Sequence, residues 1–96
     1  MKVLVCYDVA RDDNGARRLR KVARICEDYG IRVQYSVFEC LVDPAQLLML
    51  KRSLEQAINM KVDSLRYYHL GKNWKNKVEH VGAKVAIDME NDLLLF

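Results

Sequence analysis

The chain of 96 residues carries 16 Lys and Arg against 13 Asp and Glu, a net charge of +3, with 51% hydrophobic residues and one proline. Such a length holds one core and excludes a multidomain enzyme, and such a composition excludes a disordered chain. A domain this small covers a limited share of its own surface, so a partner subunit is expected, whereas +3 by itself does not demand a polyanionic ligand.

Val3-Leu4-Val5-Cys6-Tyr7 is an apolar, β-branched run that stops at Asp8, the pattern of a central strand buried on both faces. Asp12-Asp13-Asn14-Gly15 is turn chemistry. After it, Leu19, Val22, Ala23, Cys26 and Tyr29 recur at helical spacing, and Gly30 is expected to cap that helix. Residues 32–42 are rich in β-branched and aromatic side chains and too long for one average strand, so they are expected to bend or split around Tyr35–Val37. Asp43-Pro44 starts a second helix, with Leu47, Leu50, Leu54 and Ile58 continuing to about Met60. From Asp63 to Leu70 the residues alternate as a half-buried strand, a polar loop covers 71–76, and 77–81 and 85–87 are weaker strand candidates. Residues 93–96 end in bare hydrophobes.

The order predicts an α+β fold, a ferredoxin-like β-α-β-β-α-β sandwich with an extra C-terminal strand. Residues 1–96 form a single domain in this reading. Both helices then lie on one sheet face, which leaves the other face for a second copy of the chain. Residues 77–96 are expected to form a C-terminal strand and tail that pairs across such a homodimer.

Cys6, Cys26 and Cys40 are odd in number, and their spacings match neither a disulfide framework nor a zinc site, which suits a reducing cytoplasm. No apolar run is long enough for an export signal or a membrane span, so a soluble cytoplasmic protein without membrane contact is expected.

Asp8 carries the sharpest chemical signal. A carboxylate directly after a buried strand is rigidly held and partly desolvated, a setting that suits a hard cation such as Mg²⁺ or Mn²⁺. One carboxylate binds such an ion poorly, but a two-fold axis nearby would pair Asp8 with its copy, and a cation between them would relieve their repulsion. Capping of a turn or of the following helix is the alternative role. Arg17, Arg18, Arg20, Lys21 and Arg24 crowd about two helical turns opposite the apolar stripe, a positive face suited to phosphate. Its alternative is a solvated face balanced by Glu27 and Asp28. The aromatic residues, including Tyr35, Tyr67, Tyr68 and Trp74, are read mostly as packing, and His69 and His80 as structural. The charge distribution agrees: residues 1–35 carry eight basic and five acidic side chains and residues 61–84 six and two, while 85–96 carry three acidic and no basic ones.

Four segments together resemble one family. They are Val3-Leu4-Val5-Cys6-Tyr7-Asp8-Val9, Arg17-Arg18-Leu19-Arg20-Lys21-Val22, Arg32-Val33-Gln34-Tyr35-Ser36-Val37-Phe38-Glu39 and Asp63-Ser64-Leu65-Arg66-Tyr67-Tyr68. The family is that of the CRISPR-associated Cas-two proteins, small ferredoxin-like homodimers, and Lys77-Val78-Glu79-His80-Val81-Gly82 resembles the branch accompanying type I-C systems. The resemblance implies a metal-dependent endonuclease acting on RNA or double-stranded DNA, with the family's strand-end aspartate at Asp8. It further implies a central dimer in the complex that inserts spacers into the CRISPR array, bridging copies of the larger integrase subunit, Cas-one. The family's tyrosine falls on Tyr7, its basic helix start on Arg17 and Arg18, and its strand arginine and phenylalanine on Arg32 and Phe38. The site expected is therefore Asp8 from each subunit for catalysis and metal, Arg17, Arg18, Lys21, Arg24 and Arg32 for nucleic acid, with Tyr7 and Phe38 in support. A non-catalytic DNA scaffold and a metabolite-binding regulatory module are the competing readings, and the module lacks a Gly-containing ligand loop.

Overall fold

The fold was analysed in a computed structural model, which describes residues 1–70 and 78–83. The elements run β1 (Lys2–Asp8), α1 (Gly15–Glu27), β2 (Gly30–Gln34), β3 (Val37–Leu41), α2 (Pro44–Ala57), β4 (Ser64–Leu70) and β5 (Val78–Gly82). All strand pairs are antiparallel, in the order β2-β3-β1-β4-β5. This is the expected ferredoxin-like arrangement with a fifth strand added beside β4.

β1 is central because its apolar residues supply both faces. Val3, Val5 and Tyr7 alternate with Leu4 and Cys6, and the strand pairs with β3 on one side and β4 on the other, where Asp8 stands opposite Ser64. The first set joins Val22, Cys26, Phe38, Leu50, Leu54, Leu65 and Tyr67 in the main core, under both helices. The second set packs with Val37, Tyr68 and Leu70 on the opposite face. Cys6, Cys26 and Cys40 are all free, and burial pushes the Cys6 thiol up to about 12 and the Cys40 thiol up to about 11, which favours the protonated thiol.

Residues 30–42 split as expected, with Tyr35 and Ser36 forming the turn between β2 and β3. Asp43 caps α2 reciprocally: its carboxylate accepts from the Gln46 amide at 2.7 Å, and the Gln46 side chain accepts from the Asp43 amide at 2.9 Å.

Three expectations are corrected. Gly30 does not cap α1, whose C-cap is Asp28; it opens β2, where a Cβ would lie 2.1 Å from the Glu39 carbonyl oxygen, so close strand pairing explains the glycine. α2 ends at Ala57 rather than near Met60, because residues 59–62 turn back, with the Asp63 amide donating to the Asn59 carbonyl at 2.8 Å. Ile58 kept its helical spacing because it is buried, not because it is helical. β4 is buried on both faces rather than one, since β5 pairs along its outer edge and makes it an interior strand. β5 covers most of the candidate strand at 77–81, whereas the polar loop, the candidate at 85–87 and the tail at 93–96 lie outside the described residues.

Candidate functional site

β1 delivers Asp8 to the open end of the sheet. The Tyr7 amide donates to the Ser36 carbonyl at 3.1 Å, which ties this strand end to the β2–β3 turn. Asp8 is exposed rather than partly desolvated, because it is the last residue of the strand and no element covers that end among the described residues. It lines a groove of about 530 Å³ with Val9, Arg11, Asp12, Gly15, Leu19, Tyr35 and Ser36.

The groove wall after Asp8 is held by a buried ion network. Asp63 is fully buried and accepts four hydrogen bonds: from the Ala10 amide at 2.9 Å, the Asn59 amide at 2.8 Å, Arg18 Nε at 2.7 Å and an Arg18 terminal nitrogen at 3.1 Å. The same guanidinium reaches out to both Asp12 carboxylate oxygens, at 3.0 and 2.9 Å. Burial acts to raise the Asp63 carboxyl, but the hydrogen bonds from Arg18, Asn59 and Ala10 outweigh it and leave it below the usual carboxylate range. Hydrogen bonding to Arg18 likewise holds the Asp12 carboxyl low.

This network corrects one expected site residue. Arg18 does not belong to the solvent-facing basic stripe: its side chain is 14% exposed and committed to two carboxylates, so it anchors the loop instead of awaiting phosphate. Its position four residues before Val22 puts it in line with the buried stripe, a signal present in the spacing. Asp63, expected only as the start of a strand, is the site residue that the sequence does not mark: its local partner is the Asn59 amide, and the partners that tie it to the groove, Arg18 and Ala10, lie 45 and 53 positions away.

The structure places Arg17, Lys21 and Arg24, together with Arg20, on one exposed face of α1. Among the described residues none of these four has an ion-pair partner. Tyr7, Arg32 and Phe38 are brought together. The Phe38 ring stacks on Tyr7 at 6.2 Å, and the Arg32 guanidinium lies over Phe38 at 5.2 Å from its centroid. Burial raises the Tyr7 hydroxyl, and the Arg32 charge opposes the rise. His69 meets Glu79 at 2.8 Å, and His80 Nδ1 accepts from Arg66 at 2.7 Å, so both rings make contacts between β4 and β5.

Divalent-cation chemistry can be tested against these donors. Asp8 supplies hard oxygen atoms at an accessible, rigid position, which fits Mg²⁺ or Mn²⁺ in kind. In number it supplies half a site, since no group of three His, Cys, Asp or Glu side chains clusters as ligands among the described residues. Asp8 by itself therefore offers too few donors to hold such an ion within the described residues of one chain.

Comparison with known proteins follows the same lines. The family described as CRISPR associated protein Cas2 matches residues 1–78. A protein of Nitratidesulfovibrio vulgaris named CRISPR-associated endoribonuclease Cas2 is 58% identical over 96 residues, covering 99% of this chain and 94% of that protein. One from Halalkalibacterium halodurans, named CRISPR-associated endonuclease Cas2, is 55% identical over 98% of this chain and 99% of its own length. The crystal structure of Streptococcus pyogenes Cas2 at pH 6.5 superposes with a TM-score of 0.70 at 55% identity, covering 82% of this chain and 96% of that one.

Proposed function

Because the chain belongs to the CRISPR-associated Cas2 family, we propose that it is an endonuclease that hydrolyses phosphodiester bonds in polynucleotides as a homodimer, with one Asp8 from each subunit at a shared divalent-cation site. The observation that carries this reading is Asp8 itself: an exposed carboxylate at the end of the central strand, in a groove beside a basic helix face that has no ion-pair partner among the described residues. RNA or double-stranded DNA is the substrate. Asp8 of each copy would hold a Mg²⁺ or Mn²⁺ ion, which would supply Lewis acidity toward the phosphodiester.

The chain's own residues do the rest. Arg17, Lys21 and Arg24 bind successive phosphates from the outer face of α1 without reading base identity. Arg32, whose guanidinium lies over the Phe38 ring that in turn stacks on Tyr7, presents its charge toward the polynucleotide beside the groove. Arg18 and Asp63 fix the backbone at Ala10, two residues beyond Asp8, so the carboxylate stands on a braced segment at both ends. In the cell this dimer acts in CRISPR adaptation, in the cytoplasm, as the centre of the spacer-integration complex that bridges copies of the integrase subunit Cas-one. No described helix is long and apolar enough to cross a membrane.

One observation favours a second reading, a DNA-binding scaffold without catalysis: no group of three His, Cys, Asp or Glu side chains clusters as metal ligands among the described residues. Cleavage of RNA and duplex DNA by wild type and Asp8→Asn, with Mg²⁺, with Mn²⁺ and with chelator, separates the two. The nuclease reading expects metal-dependent cleavage by wild type and loss of it in Asp8→Asn, with salt-dependent binding retained. Cleavage by Asp8→Asn at the wild-type rate refutes the Asp8 site, and binding without cleavage by either protein leaves the scaffold.

A further inference from the structure

Beside the Asp8 groove lies a smaller cleft of about 140 Å³, lined by Tyr7, Leu19, Arg20, Ala23, Arg32 and Tyr35. The two openings share Leu19 and Tyr35, so they lie side by side across those side chains. Tyr35 is 80% exposed at the tip of the β2–β3 turn, an aromatic ring that contributes almost nothing to the core. Arg20 is exposed with no ion-pair partner among the described residues, and Arg32 is oriented by the Phe38 ring beneath it.

An apolar floor, an exposed aromatic platform and two cations on the rim are what a nucleotide needs: a π-face for its base and forked donors for its phosphate. We propose that this cleft is a stacking subsite for one unpaired nucleotide of a single-stranded polynucleotide, with Tyr35 under the base and Arg20 and Arg32 on its phosphate. From there the strand crosses Leu19 and Tyr35 into the Asp8 groove. A base within a duplex keeps both faces stacked on its neighbours and offers Tyr35 none, so the subsite distinguishes single strands from duplexes. The inference rests on the polynucleotide reading above and narrows its substrate, without depending on whether the phosphodiester is cut.

The test is equilibrium binding in chelator, where no metal-dependent cleavage occurs, using short single-stranded RNA and DNA oligonucleotides carrying 2-aminopurine and the matching duplexes. Wild-type chain should bind the single strands and quench 2-aminopurine by stacking. Tyr35→Ala should weaken single-strand binding about 5- to 150-fold and abolish the quenching, with duplex binding unchanged, whereas Tyr35→Phe should retain both. Arg20→Gln should flatten the dependence of log affinity on log salt by about 0.7 for the single strand. Binding of either RNA or DNA in this manner carries the proposal. Unchanged single-strand affinity in Tyr35→Ala, or an equal loss on the duplex, overturns it. A chain that binds in this manner yet never cleaves with metal refutes the nuclease and keeps the subsite; one that cleaves through Asp8 while indifferent to Tyr35 does the reverse.

Discussion

Replacing Asp63 with alanine would remove one carboxylate that joins three segments: the loop after β1, the start of α1 and the turn after α2. Its side chain is 0% exposed, so water does not stand ready to take over as acceptor. Two backbone amides and a guanidinium would lose their partner, and a buried donor left unsatisfied costs about 1–3 kcal/mol. Removing one member of a buried ion pair costs about 3–5 kcal/mol in all. Part is recovered here, because Asp12 still engages Arg18 from the solvent side, and the expected loss is about 3 kcal/mol. That is a large share of the roughly 5–14 kcal/mol available to a domain of this length, and at ~4–8 °C per kcal/mol it lowers the Tm by roughly 12–24 °C. Urea and thermal unfolding followed by circular dichroism, at matched protein concentration, read it directly.

The pH dependence has a definite sign. The folded-state carboxyl of Asp63 lies below its unfolded value of about 3.9, so its contribution is fully present above that value and disappears as pH falls through the depressed folded value. The gap between wild type and Asp63→Ala should therefore be constant near neutral pH and close below about pH 4. A loss under about 1 kcal/mol at neutral pH, or a gap that stays open in strong acid, would refute the claim that this ionised carboxylate holds the loop.

Arg17→Gln and Lys21→Gln should each flatten the salt dependence of polynucleotide binding by nearly one unit, while Arg18→Gln should leave the slope unchanged and lower stability instead; affinity measured across a salt series decides between them. Gly82→Ala should destabilise the chain by more than about 1 kcal/mol, read as a lower urea midpoint, because Gly82 has a positive φ of 112° and a Cβ there would sit 2.1 Å from the Asp63 carbonyl oxygen. Sedimentation at micromolar concentration should give twice the chain mass, and a stable monomer would remove the second carboxylate on which the proposed cation site depends.

Composition and periodicity determined much of this protein without any tertiary information. The β1 run, the leucine spacing of α2 and the Asp43-Pro44 start each carry their own local cause, so element order and the ferredoxin-like plan were readable in the chain. The place of Asp8 at the end of β1 was readable too, because an acidic residue that ends an apolar strand is a local event. What only the tertiary structure decided depends on residues far apart in sequence. The spacing of Arg18 puts it in line with the buried stripe of α1, but that its partner there is Asp63, 45 residues away, is set only by the fold. β4 looks half-buried until β5 pairs along its outer edge. Gly30 looks like a helix cap until Glu39 approaches too closely for any side chain. Ion pairing, strand neighbours and backbone approach are set by which segments meet, and a linear pattern holds no record of that meeting.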